Sequence, residues 1–145
     1  MTMSEADVER YARQIVIPEV GVAGQELLLA SRVLVLGRGP GAEAARRYLE
    51  AAGVSTTEGP NPATAADCLL LTGTDAPAGH EDLDRVWYYI DQGRLVSGLA
   101  PAGTKLPAGP QTTHQTGAVA LVRETAAGIE AAARTVALLL GWKPG

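Results

Sequence analysis

The chain reads as an α/β protein: a mainly parallel, Rossmann-like sheet flanked by helices, with a helical arm in front. Three observations predict this. Arg32-Val-Leu-Val-Leu-Gly37 places four consecutive branched aliphatics before a glycine, the pattern of a strand covered on both faces. The glycine-rich stretch Gly37-Arg-Gly-Pro-Gly-Ala42 follows, and then Ala45, Tyr48, Leu49 and Ala52 recur at the spacing of one helix face. Further strand-like and helix-like stretches then alternate along the chain.

Composition narrows the function classes. With 145 residues, this is a single domain, divided into an arm (1–31), a Rossmann-like core (32–99), a loop (100–117) and a closing strand or helix (118–145). There is no Phe and aromatics are 4%, so Ala, Leu and Val must fill the core. A net charge of −4 argues against a nucleic-acid grip by bulk electrostatics. The single cysteine, Cys68, excludes an internal disulfide and a cysteine metal cluster. No apolar run reaches the ~20 residues of a membrane span, and the start lacks the pattern of a signal peptide. A cytoplasmic protein is expected.

The elements follow in order. Glu5 to Gln14 reads as a short polar helix, with Ser4 as N-cap and Asp7 three residues on. Ile15 to Val22, broken by Pro18, is expected to be extended, and Gly24 to Ala30 to be a helix with Leu27 and Leu28 turned inward. After the strand at 32–37, the helix runs to about Ala52, with Gly53 as its C-terminal stop. Val54 to Glu58 reads as a short second strand, closed by the loop chemistry of 59–62, and Cys68 to Thr72 as a third. Only about eight residues join them, fewer than the dozen usual for a parallel crossover. Glu81 to Gln92 predicts a helix with Leu83, Val86, Trp87 and Ile90 on one stripe, closed by Gly93. Arg94 to Leu99 predicts a fourth strand. The Pro- and Gly-rich stretch 100–117 reads as a long irregular loop. Ala118 to Val122 adds a strand or joins the last helix, Ala126 to Leu140, whose inner stripe includes Ile129, Ala132 and Val136 and which ends at Gly141.

The glycine stretch carries the candidate chemistry. Gly37-x-Gly39-x-x-Ala42 fits the dinucleotide fingerprint in its strand–turn–helix context. Gly37 permits the sharp turn, Gly39 clears space for a phosphate, and Ala42 lets helix and strand pack closely. A helix start offers free N–H groups to an anion. Pro40 removes one such donor but suits a first helical position. The acidic ribose-binding residue expected about 20 positions on falls at Glu58. His80 and His114 sit in polar loops without partner spacing. Trp87, Tyr88 and Tyr89 are read as a partner-binding edge, with core packing the better reading for Trp87.

Residues 10–37, RYARQIVIPEVGVAGQELLLASRVLVLG, resemble the opening of the ThiF/MoeB/HesA family, relatives of ubiquitin-activating enzymes. The shared marks are Arg10-Tyr11-Ala12-Arg13-Gln14, the pair Gly24-Gln25, and the glycine stretch including Gly37, Gly39, Gly41 and Ala42. DCLLLTGTDA (67–76), GRLVSGLA (93–100) and the closing stretch 117–145 extend the likeness. The resemblance implies a shortened ThiF/MoeB-like fold that binds ATP and magnesium and adenylates the C-terminal Gly-Gly of a small ubiquitin-like sulfur carrier. It implies a magnesium-holding role for Asp75, nucleotide contacts from the glycine stretch and Glu58, and an Arg13 that reaches a partner's nucleotide in trans.

The departures point the other way. The family stretch whose Arg, Gln and Lys grip the phosphates is reduced here to GPNPATAA, and no basic residue lies between Val54 and Gly79. The paired cysteines of a zinc site are missing, as is a cysteine in 100–117. The expectation is a degenerate, non-catalytic or partner-dependent member, with ATP and magnesium binding weak or lost, acting as a homodimer or beside an active homologue. The alternatives are a compact adenylyltransferase and another nucleotide-binding Rossmann module.

Overall fold

A computed structural model describes residues 3–57, 66–74, 82–104 and 117–141. Their elements are α1 (Glu5–Arg10), α2 (Ala12–Ile15), α3 (Gly21–Ala30), β1 (Arg32–Gly37), α4 (Pro40–Ala52), β2 (Ser55–Thr57), β3 (Cys68–Thr72), β4 (Asp84–Asp91), β5 (Arg94–Ala100) and α5 (Ala118–Leu139). The strands form one five-stranded sheet in the order β2-β1-β3-β4-β5, parallel except for the antiparallel edge strand β5. The sheet with its flanking helices is the Rossmann-like α/β arrangement that the sequence predicts. Among the described residues no helix is long and apolar enough to cross a membrane.

The sheet is apolar on both faces, as the run in β1 requires. On one side Val33, Val35, Leu70, Val86, Tyr88 and Ile90 pack with Ala45 and Leu49 of α4, Ala127, Ala131 and Ala132 of α5, and Leu28 of α3. On the other, Leu34, Leu69 and Leu71 cluster with Leu36, Ala66 and Trp87. Each fully buried Leu or Val contributes roughly 1.5–3 kcal/mol, so these strands anchor the domain. Cys68 lies within the buried β3.

The first strand and its turn form where expected, and so does α4, with Pro40 at its start and Gly53 left-handed (φ 100°) at its end. The capping box at Ser4 and Asp7 is formed in both directions. The short β2 pairs with β1 only as far as Leu34. Cys68, which begins β3, stands opposite Val33 on the other side of β1. The two ends to be joined thus lie at nearly the same height, which makes a short connection sufficient.

Three expectations are corrected, and one left open between two readings is decided. Glu81 to Gln92 is not a helix: Asp84–Asp91 is β4, and its core side is Val86, Tyr88 and Ile90 at the spacing of a strand. The helical spacing of Leu83, Val86, Trp87 and Ile90 was a coincidence within a sequence rich in strand-forming Val, Trp, Tyr and Ile. Gly93 is a hairpin residue, with Gln92 (φ 49°) and Gly93 (φ 81°) both left-handed between the paired Asp91 and Arg94, as a two-residue primed turn demands. Residues 15–22 are not extended; after Ile15 the chain makes tight turns, with Gly21 N–H bonded to the Ile17 carbonyl (2.9 Å), before α3 begins. Leu27, Tyr48 and Ile129 are exposed rather than inward. The last helix starts at Ala118, so 118–122 extends α5 and adds no strand.

The arm docks through its polar residues. Gln25 is fully buried and its Nε2 donates to the Ala52 carbonyl (3.0 Å), while Gln14 Nε2 donates to that of Ala51 (3.4 Å). Tyr11 is buried beside Gly53. The two glutamines satisfy carbonyls at the end of α4, which a helix leaves without intrahelical donors.

Candidate functional site

In an open α/β sheet a ligand site forms beyond the carboxyl ends of the strands, where the strand order reverses. Here the reversal falls between β1 and β3, because β2 lies on one side of β1 and β3 on the other. The glycine turn sits at that point. Gly37 has φ 116°, and a Cβ there would collide with the Thr72 hydroxyl and carbonyl at the end of β3. Thr72 Oγ1 in turn donates to the Leu36 carbonyl (2.6 Å). Only glycine meets both demands.

Gly39 (φ 100°) caps α4 without a side chain, and the first helical bond runs from Glu43 N–H to its carbonyl (3.1 Å). Pro40 has no N–H, so the amides of Gly41 and Ala42 remain without an acceptor among the described residues. Gly41 is pressed from behind. A Cβ there would strike the Tyr88 hydroxyl and lie 2.7 Å from the Glu124 carbonyl oxygen. Gly128 of α5 completes the contact, since its own added Cβ would fall 2.8 Å from the Gly41 Cα and nearer still to the Gly41 carbonyl. Gly41 therefore serves helix packing. Burial, with the Glu124 carboxylate second, pushes the Tyr88 phenol well above its ordinary range.

Two arginines flank the turn. Arg38 is exposed within it. Arg46 of α4 reaches back beneath it, donating from Nη2 to the carbonyls of Gly37 (3.3 Å) and Val35 (3.4 Å). Those carbonyls lie on the part of β1 that runs past the end of β2. Opposite, Gly73 N–H is fixed to the Tyr88 carbonyl (2.7 Å) just after β3.

The structure brings together Gly37, Gly39, Gly41 and Ala42. Arg13 lies elsewhere, exposed on α2 of the arm. Glu58, Asp75, His80, His114 and most of the 100–117 loop lie outside the described residues. Among those described, no three His, Cys, Asp or Glu side chains gather where they would hold a metal. Sequence reasoning missed Arg46, Thr72, Glu124 and Gly128, and gave Tyr88 no part in the turn. The one available signal was Gly128, a glycine inside a helical pattern, which marks a close approach.

The turn suits one phosphate group, offering two amides, a helix start and an exposed arginine. Pro40 supplies no amide there, and the Arg46 Nη2 is engaged by carbonyls.

Fold and turn thus define a Rossmann-like α/β protein with a phosphate-type glycine turn at its switch point. No protein-family model matches the chain. Over 54 residues it is 46% identical to the probable adenylyltransferase/sulfurtransferase MoeZ of Mycobacterium tuberculosis, a match covering 37% of this chain and 14% of that protein. Over 54 residues it is 43% identical to the sulfur carrier protein ThiS adenylyltransferase of Escherichia coli, covering 37% of this chain and 22% of that one. The chain is thus similar to these adenylyltransferases over little more than a third of its own length, and the match spans less than a quarter of theirs.

Proposed function

We propose that the chain is a non-catalytic or partner-dependent component of a carrier-activation system, keeping the nucleotide scaffold of its relatives without their phosphate chemistry. The observation that carries this is the state of the glycine turn. Its proline removes one amide, the Gly128 backbone and the Tyr88 hydroxyl pack tightly behind Gly41, and the nearby Arg46 donates to strand carbonyls. Phosphoryl and adenylyl transfer rest on cations placed around the phosphates, and this turn supplies little beyond Arg38. The exposure of Arg13 on the arm supports a role toward a second protein, because its planar fork of donors suits a phosphate or carboxylate. Small carrier proteins, which the relatives' names include, and an active homologue are the partners in this reading.

Pyrophosphate exchange tests it. The chain alone with Mg-ATP and a Gly-Gly carrier should give no exchange and only weak ATP binding by calorimetry. Added to an active relative, it should change that enzyme's turnover, and Arg13→Ala should abolish the change. Robust exchange by the chain alone would establish the compact adenylyltransferase instead.

A further inference from the structure

Arg46 stands where a Rossmann ligand places its sugar. In such sites the phosphates lie at the helix start, and the ribose lies beside them at the end of the second strand. In this chain the second strand stops early. β2 ends at Thr57, paired with Leu34, while β1 continues through Val35 and Leu36 to Gly37. Along a parallel strand successive carbonyls point to opposite neighbours. The Leu36 carbonyl faces β3, where the Thr72 hydroxyl donates to it (2.6 Å). Those of Val35 and Gly37 face the other way, into the step that β2 leaves open. Arg46, half-buried on α4, sends its guanidinium into that step and donates from Nη2 to both, at 3.4 and 3.3 Å. One side chain thus meets two carbonyls that a longer β2 would have paired.

We propose that Arg46 is an internal plug of the nucleoside position: its guanidinium fills the place of a ribose, and the side chain must swing out before a nucleotide can settle against the glycine turn. Position carries the first half of this. A nitrogen in contact with the Gly37 carbonyl oxygen leaves no room for a sugar between the turn and the end of β2. Chemistry carries the second. The acidic residue of a Rossmann site accepts a hydrogen bond from the ribose 2′-hydroxyl, whereas a guanidinium has five donors and no acceptor. The same planar fork would suit a phosphate carried on the ribose, but here Nη2 is already committed to two carbonyls of the chain itself. The two roles predict opposite signs. Removing a cation that touches a phosphate weakens nucleotide binding, and removing a plug strengthens it. Resting on the non-catalytic reading above, the plug gives that reading a cause: the scaffold is kept and its ligand position is filled from within.

Calorimetric titration with adenosine, AMP and adenosine 2′-phosphate tests it, comparing the native protein with Arg46→Ala. The variant should bind AMP at least about tenfold more tightly, the worth of releasing one charged hydrogen bond, and uncharged adenosine should gain as well. Arg47→Ala removes an equal charge from the exposed side of the same helix and should change neither. Where circular dichroism shows Arg46→Ala to be unfolded, Arg46→Gln takes its place, because it keeps the stem and stops short of both carbonyls. A folded variant that binds AMP and adenosine no better than the native protein overturns the plug. So does adenosine 2′-phosphate binding that is present in the native protein and lost in the variant, which would make Arg46 a phosphate contact. Both results leave the non-catalytic reading in place. Pyrophosphate exchange with Mg-ATP and a Gly-Gly carrier that appears only once Arg46 is removed would do the reverse: it would support the plug and refute the loss of phosphate chemistry.

Discussion

Replacing Gly128 by alanine tests the packing behind the glycine turn. In isolation the change should stabilise α5, since alanine is favoured over glycine by about 1 kcal/mol in a helix interior. The tertiary contact opposes this. The new Cβ would sit 2.6 Å from the carbonyl carbon and 2.8 Å from the Cα of Gly41. Ordinary carbon contacts begin near 3.5 Å, and both atoms are backbone, so α5 and α4 must separate by most of an ångström. Overpacking of this kind costs about 1–3 kcal/mol and sometimes more. Because the clash involves rigid backbone, we place the strain at about 3 kcal/mol and the net loss at about 2 kcal/mol after the helix gain. In a chain of this length that is a drop of roughly 6–10 °C in Tm. Thermal and urea unfolding monitored by circular dichroism measure it. An unchanged or raised Tm would refute the close approach of the two helices, and with it the assignment of Gly41 to packing.

Three further outcomes follow from the same geometry. Gln25→Ala should cost about 1–3 kcal/mol in urea unfolding, because it strips the donor from the Ala52 carbonyl in a fully buried place. Cys68, 1% exposed and with its thiol pushed up to about 12, chiefly by burial, should resist a thiol reagent in the native protein and react fully in denaturant. The Tyr88 phenol is raised from its ordinary 10.0, so the fold disfavours its anion; the stability that this neutral group provides is complete below that pH and falls as pH rises past it. Tyr88→Phe should therefore flatten the alkaline decline of Tm above pH 10, and an unchanged slope would count against a buried phenol at Gly41.

What could be read from the sequence was local. The apolar run of β1, the glycine turn, the proline start and glycine stop of α4, and the Ser4 box each state their conformation within a few residues, and each forms as read. The segment 81–92 failed because its apolar residues satisfy a helical and a strand period at once. The deciding marks were the density of Val, Trp, Tyr and Ile and the Gln-Gly pair that closes the hairpin. Leu27, Tyr48 and Ile129 were misplaced because the covered stripe of a helix depends on which neighbours reach it. The turn's surroundings were beyond sequence reading for the same reason: Gly128 lies 87 positions from Gly41, and no local rule joins them. Arg46 looks like any solvent-facing arginine until the shortness of β2 leaves carbonyls for it to meet.

The docking of the arm onto the end of α4 has a mechanical consequence. Gln14 and Gln25 grip the helix at its last carbonyls, and the glycine turn hangs from its first residues. Thirteen residues make a stiff lever about 20 Å long. Any protein that seizes the arm takes hold of one end of that lever, and the strain it applies is delivered at the other.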